Sequence, residues 1–231
     1  MADAAFAFPD DHGRSAPPAS ASRSLAERLA LIRPPCFWPA MAGKPPLSEI
    51  ERAGLIRLAD SIPGDCSDEK MVALMEAMRH APPGDVIDIG SGCGRTAAVL
   101  VWLARRYAIG AVLCLDRWTD EGVADFEIDL APLAEGRLNH LPVGAERYEA
   151  GLTVSTKAFG ETRYEGRAAM LHIALPDADV AAWTARVAPG GWIVFDGCEA
   201  AAAAFAAANE PRICARFTAG GADFVQLKLK R

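Results

Sequence analysis

The sequence predicts an α/β fold: a mostly parallel, doubly wound sheet with helices on both faces, closed by an antiparallel hairpin at its C-terminal end. Three observations point there. Four short apolar runs, Asp85-Val-Ile-Asp-Ile89, Ala111-Val-Leu-Cys-Leu115, Ala168-Ala-Met-Leu-His-Ile-Ala174 and Gly191-Trp-Ile-Val-Phe195, have the length and composition of strands buried on both faces. Segments of helical periodicity, Arg95 to Tyr107 and Asp177 to Val187, follow the first and third of these runs, giving the βαβ alternation of a parallel sheet. Finally, Ile213 to Thr218 and Asp223 to Lys230 flank Ala219-Gly-Gly-Ala222, a hairpin pattern.

In chain order, residues 1–24 are rich in Ala, Ser, Pro and Asp and hold few large apolar side chains to offset the entropy of ordering, which predicts a disordered tail. Residues 25–66 read as an N-terminal helical extension. It comprises a helical stretch from Leu25 to Ile32, the Pro-punctuated Arg33-Pro-Pro-Cys-Phe-Trp-Pro39, and an amphipathic helix near Leu47 to Ala59. Phe37 and Trp38 either pack this arm onto the main domain or line a substrate entrance, packing being the commoner use of buried aromatics. The main domain, residues 67–231, opens on Ser67-Asp-Glu-Lys-Met71: an N-cap residue, an acidic first turn, then Met71, Leu74, Met75 and Met78 on one face as core. Pro82, Pro83 and Gly84 end this helix. The stretch from Thr119 to Arg167 gives an acidic helix around Glu121 to Ala134 and strand pieces near Leu138 to Val143 and Leu152 to Ser155. An Ala-rich helix spans Glu199 to Ala208.

A chain of 231 residues, 51% of them hydrophobic, suits one substantial core. Its 24 basic and 30 acidic residues leave a net charge of −6, without the basic field that holds a nucleic-acid backbone, so no nucleic-acid partner is expected. No apolar run approaches the ~20 residues of a membrane span, nor does the N-terminus carry a secretory h-region, which predicts a cytoplasmic protein. The six cysteines lack CxxC spacing, so neither a zinc site nor a disulfide framework is expected.

The chemistry concentrates in Asp88-Ile89-Gly90-Ser91-Gly92-Cys93-Gly94. A strand running into closely spaced glycines and then a helix lets backbone N–H groups approach a nucleotide-like ligand, because no side chain holds it away. Dinucleotide binding would want a third glycine where Arg95 stands; the spacing here is GxGxG. Asp116, ending the next strand, is placed to accept both ribose hydroxyls of an adenosine. Trp118 either stacks beside adenine or covers the loop.

Through VIDIGSGCGRTAAVL (86–100), AVLCLDRW (111–118) and VAPGGWIVFDG (187–197) the chain resembles class I S-adenosyl-L-methionine (SAM) dependent methyltransferases over residues 67–231. Through SDEKM (67–71), FGETRYEGRAAMLHI (159–173) and APGGWIVFD (188–196) it looks most like the small macrocin-type O-methyltransferases and their relatives from polysaccharide gene clusters. The resemblance implies a Rossmann-like, seven-stranded methyltransferase fold and SAM as cofactor. It places Asp88, Gly90, Gly92 and Gly94 around the methionine moiety and Asp116 at the ribose, with Ser91, Arg117 and Trp118 as further cofactor-binding positions. Such proteins hold a divalent metal with an acidic residue after the strand closing at Ile173 and an acidic pair after the next. Here Ala174 stands at the first position and Asp196-Gly197 at the second, too few oxygen ligands for a hard cation, so no metal is expected. Asp177 either slides into the missing position or caps the following helix.

Asp196 is the candidate to deprotonate or orient a hydroxyl acceptor; hydrogen bonding to loop N–H groups behind the cofactor is its alternative role. His172 reads as a satisfied core residue, and His140 lies in the stretch from Thr119 to Arg167. The activity expected is O-methylation of a small molecule or sugar. The alternative is a non-catalytic SAM-binding or fold-only relative acting as a partner subunit. A homodimer is compatible with either.

Overall fold

A computed structural model describes residues 44–92, 94–116, 164–175 and 180–229, with four backbone strands inside 117–163. Helix α1 (Glu49–Asp60) starts on a reciprocal cap: the Glu51 N–H donates to Ser48 Oγ at 3.2 Å, and the Ser48 N–H donates to Glu51 Oε2 at 2.7 Å. Helix α2 (Asp68–Arg79) is capped by Ser67, and Met71, Met75 and Met78 are all buried. Strand β1 (Asp85–Ile89) feeds the glycine loop and helix α3 (Arg95–Arg106), which leads to β2 (Val112–Leu115). The middle region contributes β3 (Ile128–Asp129), β4 (Arg137–Leu138), β5 (Glu146–Glu149) and β6 (Leu152–Ser155). Then follow β7 (Ala168–Ile173), a short α4 (Val180–Thr184), β8 (Val187–Asp196), α5 (Glu199–Asn209), a 3₁₀ turn (Glu210–Arg212), β9 (Ile213–Ala219) and β10 (Ala222–Leu227).

The main sheet runs in the order β5-β6-β2-β1-β7-β8-β10-β9. Strands β6, β2, β1, β7 and β8 are parallel; β10 pairs antiparallel with β8 and with β9, and β5 antiparallel with β6. The chain therefore winds outward from β1 in one direction, then returns to β7 on β1's other side. The strand ends at that reversal form the crevice in which open α/β sheets bind ligands.

Alternation along the strands divides the core into two layers. Val86, Met170, Trp192, Val194 and Phe224 face α1, α2 and α3, while Ile87, Leu171, Ile193, Phe195 and Val225 face the layer containing Trp183 and Phe205. Residues 44–66 share the first layer through Leu47, Leu55, Ile56 and Ile62.

Three expectations are corrected. The sheet has eight strands, not seven, because β5 adds an antiparallel edge. The middle region does not form a continuous helix from Glu121 to Ala134: Ile128–Asp129 is extended and pairs with Arg137–Leu138, a strand where one was expected near Leu138, in a separate ribbon. Strand β8 begins at Val187 rather than Gly191. Between its pairings Val187↔Ala168 and Trp192↔Met170 the ladder bulges, Gly190 at φ +81° and Pro189 being tolerated at such a break. The early start of β8 also ends the preceding helix at Thr184. Among the described residues no helix is long and apolar enough to cross a membrane. Residues 1–43, the Phe37-Trp38 arm among them, lie outside the described residues.

Candidate functional site

At the C-terminal ends of β1, β2, β7 and β8 lies a cavity of about 720 Å³ whose lining includes Gly90, Gly92, Asp116, His172, Ala174 and Asp196. The loop from Gly90 to Gly94 forms because β1 must turn sharply into α3 close against the end of β7. A Cβ on Gly90 would sit 3.0 Å from the Ala174 carbonyl carbon, and φ there is +87°. Gly92 differs: a Cβ would meet nothing within 4 Å, so its φ of +53° and the open space before it, rather than packing, favour glycine. Helix α3 begins at Gly94 without a side-chain cap, leaving its first amides available to a ligand. Ser91 is buried and donates through Oγ to the Asp88 carbonyl at 3.1 Å.

Asp116 stands beside this loop, where its Oδ2 accepts the Gly92 N–H at 2.6 Å. The GxGxG turn and a carboxylate 24 residues further along the chain are thus in direct contact. Ser91, Gly90, Gly92 and Asp116 are brought together on one wall. Arg117, Trp118, Asp177 and His140 lie outside the described residues, as does Cys93.

Asp88 is placed differently. It is completely buried, is absent from the cavity lining, and meets His172 through an Oδ1 to Nδ1 contact of 2.7 Å. Its other oxygen, Oδ2, has no hydrogen-bond partner among the described residues. His172 lines the cavity but is only 1% exposed, and its Nε2 lies 3.3 Å from Asp196 Oδ2, an ion-pair contact too poorly directed to be a hydrogen bond. The Asp196 oxygen in turn receives Lys70 Nζ at 2.5 Å, and Lys70, 2% exposed, also donates to the Asp65 carbonyl at 2.8 Å.

A row of alternating charges therefore runs Asp88, His172, Asp196, Lys70. Its origin is register: Asp88 pairs with His172 and His172 with Val194, and Asp196, two residues on, keeps the same sheet face as Val194, the face that α2 covers. Burial disfavours charge on His172, yet the Asp196 and Asp88 carboxylates outweigh it and raise its pKa above the ordinary 6.5. For Asp196 burial acts upward, but His172 and Lys70 together bring it down to about 2. Asp196 is thus held ionised as a fixed anion of low basicity. His172 is indeed buried and partnered, but the partners are charged.

Lys70 escaped the reading of the sequence. A signal was present: it lies four residues before Leu74 and seven before Ala77, on the buried stripe of α2, and a lysine there needs an anion.

No protein-family model and no curated protein matches the chain. Among solved structures it is similar to a SAM-dependent O-methyltransferase from Thermotoga maritima at 13% identity, covering 75% of this chain and 72% of that one, with a TM-score of 0.52. Further structural neighbours include a ribosomal-protein methylase from Lactobacillus delbrueckii (15% identity, 74% and 82% covered, TM-score 0.47) and a precorrin methyltransferase from Geobacter metallireducens (14%, 71% and 90%, 0.46). At 13% identity the likeness to the Thermotoga maritima structure shows a shared α/β fold.

Proposed function

We propose that the chain is a SAM-dependent methyltransferase of the macrocin-like O-methyltransferase kind, acting on a hydroxyl of a small molecule or sugar without a metal ion. The observation that carries this reading is the contact between Asp116 and the glycine loop at the mouth of a 720 Å³ cavity on the sheet's reversal point. The residues suit an adenosine-bearing cofactor. Asp116 can exchange its Gly92 N–H for ribose hydroxyls, the loop offers backbone donors at close range, and Gly92 has open space where a side chain would intrude. Asp88 would act from behind the loop, through the row of charges.

A hard cation suits the site less well. Ala174 supplies no ligand, and the Asp196 oxygen is already neutralised by the Lys70 ammonium and His172, which a metal would have to displace. The bound cofactor would supply an electrophilic methyl group on a sulfonium. Displacement at that carbon depends mainly on alignment, worth several kcal/mol when the reacting atoms are held in line. Asp196, fixed by Lys70 and His172, would accept a hydrogen bond from the acceptor hydroxyl and aim its lone pair; as the C–O bond forms and the S–CH3 bond breaks, the cofactor would leave as the neutral thioether, and the proton of the methylated oxygen, strongly acidic by then, would pass to the Asp196 carboxylate and on to solvent.

Calorimetry with SAM and S-adenosylhomocysteine, with and without EDTA, tests cofactor use; the expected result is micromolar or tighter binding indifferent to EDTA. Incubation with labelled SAM and cognate extract should then label a small molecule. Binding without any transfer would favour the partner-subunit alternative, and no binding at all would sink the proposal.

A further inference from the structure

A second cavity, of about 500 Å³, lies at the opposite end of the sheet, where β7 and β8 begin, β9 begins and β10 ends. Six residues of β7 separate the two ends, a distance of ~20 Å at ~3.3 Å per residue. Its floor includes the buried Val187, Ala188 and Leu227, and its rim carries Arg167, Arg186, Arg212 and Lys228 against a single acid, Glu165. Among the described residues three positive charges thus remain unbalanced around one cavity in a protein whose net charge is −6.

The four cations come from separate segments that the sheet holds together. The Asp85 N–H donates to the Arg167 carbonyl at 2.9 Å, the Ala168 N–H to the Arg186 carbonyl at 3.0 Å, and the Lys228 N–H to the Arg212 carbonyl at 2.7 Å. Their backbones are therefore fixed, although their side chains are exposed. Among the described residues none of the four takes part in an ion pair; Arg212 alone has a side-chain bond, donating to Asn209 Oδ1 at 3.0 Å. Natural surfaces intersperse charges of both signs, and a pinned cluster of one sign over an apolar floor focuses the field on whatever enters.

We infer that this cavity binds a small phosphorylated ligand through its phosphate groups, at a site separate from the candidate methyl-transfer site. Arginine predominates, and its planar fork matches phosphate oxygens in pairs. A phosphate carries roughly −1.5 to −2 at neutral pH, so three unbalanced positive charges match about two phosphoryl groups. The volume accommodates a ligand up to the size of a nucleoside diphosphate, and the apolar floor would hold the organic part.

The test is titration of the full chain, by calorimetry and thermal shift, with sodium pyrophosphate, a nucleoside diphosphate, and sulfate at matched ionic strength. Pyrophosphate should bind saturably and raise Tm, with the nucleoside diphosphate binding more tightly still. The double variant Arg186→Ala/Arg212→Ala should lose at least tenfold in affinity while melting normally and binding S-adenosylhomocysteine unchanged. Glu165→Gln should tighten binding. An equal response to sulfate, or undiminished pyrophosphate binding by the double variant, would overturn the inference. So would binding to anionic lipid vesicles without binding to pyrophosphate, which would mark the cluster as a membrane-surface contact instead.

Discussion

Lys70 is a single buried ammonium whose removal should be felt at two levels. Lys70→Met keeps the volume but leaves Asp196 without its nearest cationic partner. The expected loss is about 1–3 kcal/mol of stability by denaturant titration, below the range for fully buried pairs because Asp196 is 21% exposed. The pH dependence follows from the same cluster. His172 has a raised folded pKa, so its contribution is complete below pH 6.5 and declines as pH rises toward the folded value. Asp196 is lowered from 3.8 to about 2, so its contribution is complete above pH 3.8 and is lost as pH falls toward 2. Stability from this row should therefore be greatest between these limits, and His172→Gln should flatten the alkaline decline in melts taken from pH 5 to 9. An unchanged slope would remove the imidazolium from the account. On the opposite wall, Asp116→Ala should weaken SAM binding by roughly 1.5–3 kcal/mol for each charge-assisted hydrogen bond that the carboxylate makes to the ribose. Unaltered affinity in a folded variant would refute the ribose assignment.

At the scale of elements, the C-terminal hairpin and α2 meet at one tight point. A Cβ on Gly220 would collide with Ser67 Oγ and fall 2.6 Å from the Lys70 backbone nitrogen, whereas one on Gly221 would meet nothing within 4 Å. Both glycines have positive φ, +56° and +80°, so alanine is strained at either. Gly221→Ala should cost about 1 kcal/mol from backbone strain alone. Gly220→Ala should cost distinctly more, since the turn must lift from the start of the helix that carries Lys70. Chemical denaturation of the pair checks this, and equal losses would show that the close approach is unimportant. Such an approach passes unseen in a reading of either element alone, because the glycine pair already satisfies the hairpin and Ser67 already satisfies the cap.

For the molecule as a whole, β10 pairs with β8 and places Phe224 in one core layer and Val225 in the other. Truncation after Arg212 should therefore abolish cooperative unfolding followed by circular dichroism, not merely trim an edge. The strands flanking the glycine loop, the loop itself, Asp116 and the βαβ alternation were legible in the sequence, because each is written in a few consecutive residues whose period and backbone demands are local. Tertiary structure alone assembled the row from Asp88 to Lys70. Asp88 and His172 are 84 residues apart and Lys70 and Asp196 are 126 apart, and only sheet register and the docking of α2 bring them together. The same holds for the four cations at the far end of the sheet, each unremarkable in its own segment. Sequence by itself determined where the glycine turn would form after the first strand; the folded chain decided the charge state of Asp196, because electrostatic energy depends on separation in space and burial, neither of which is written along the chain.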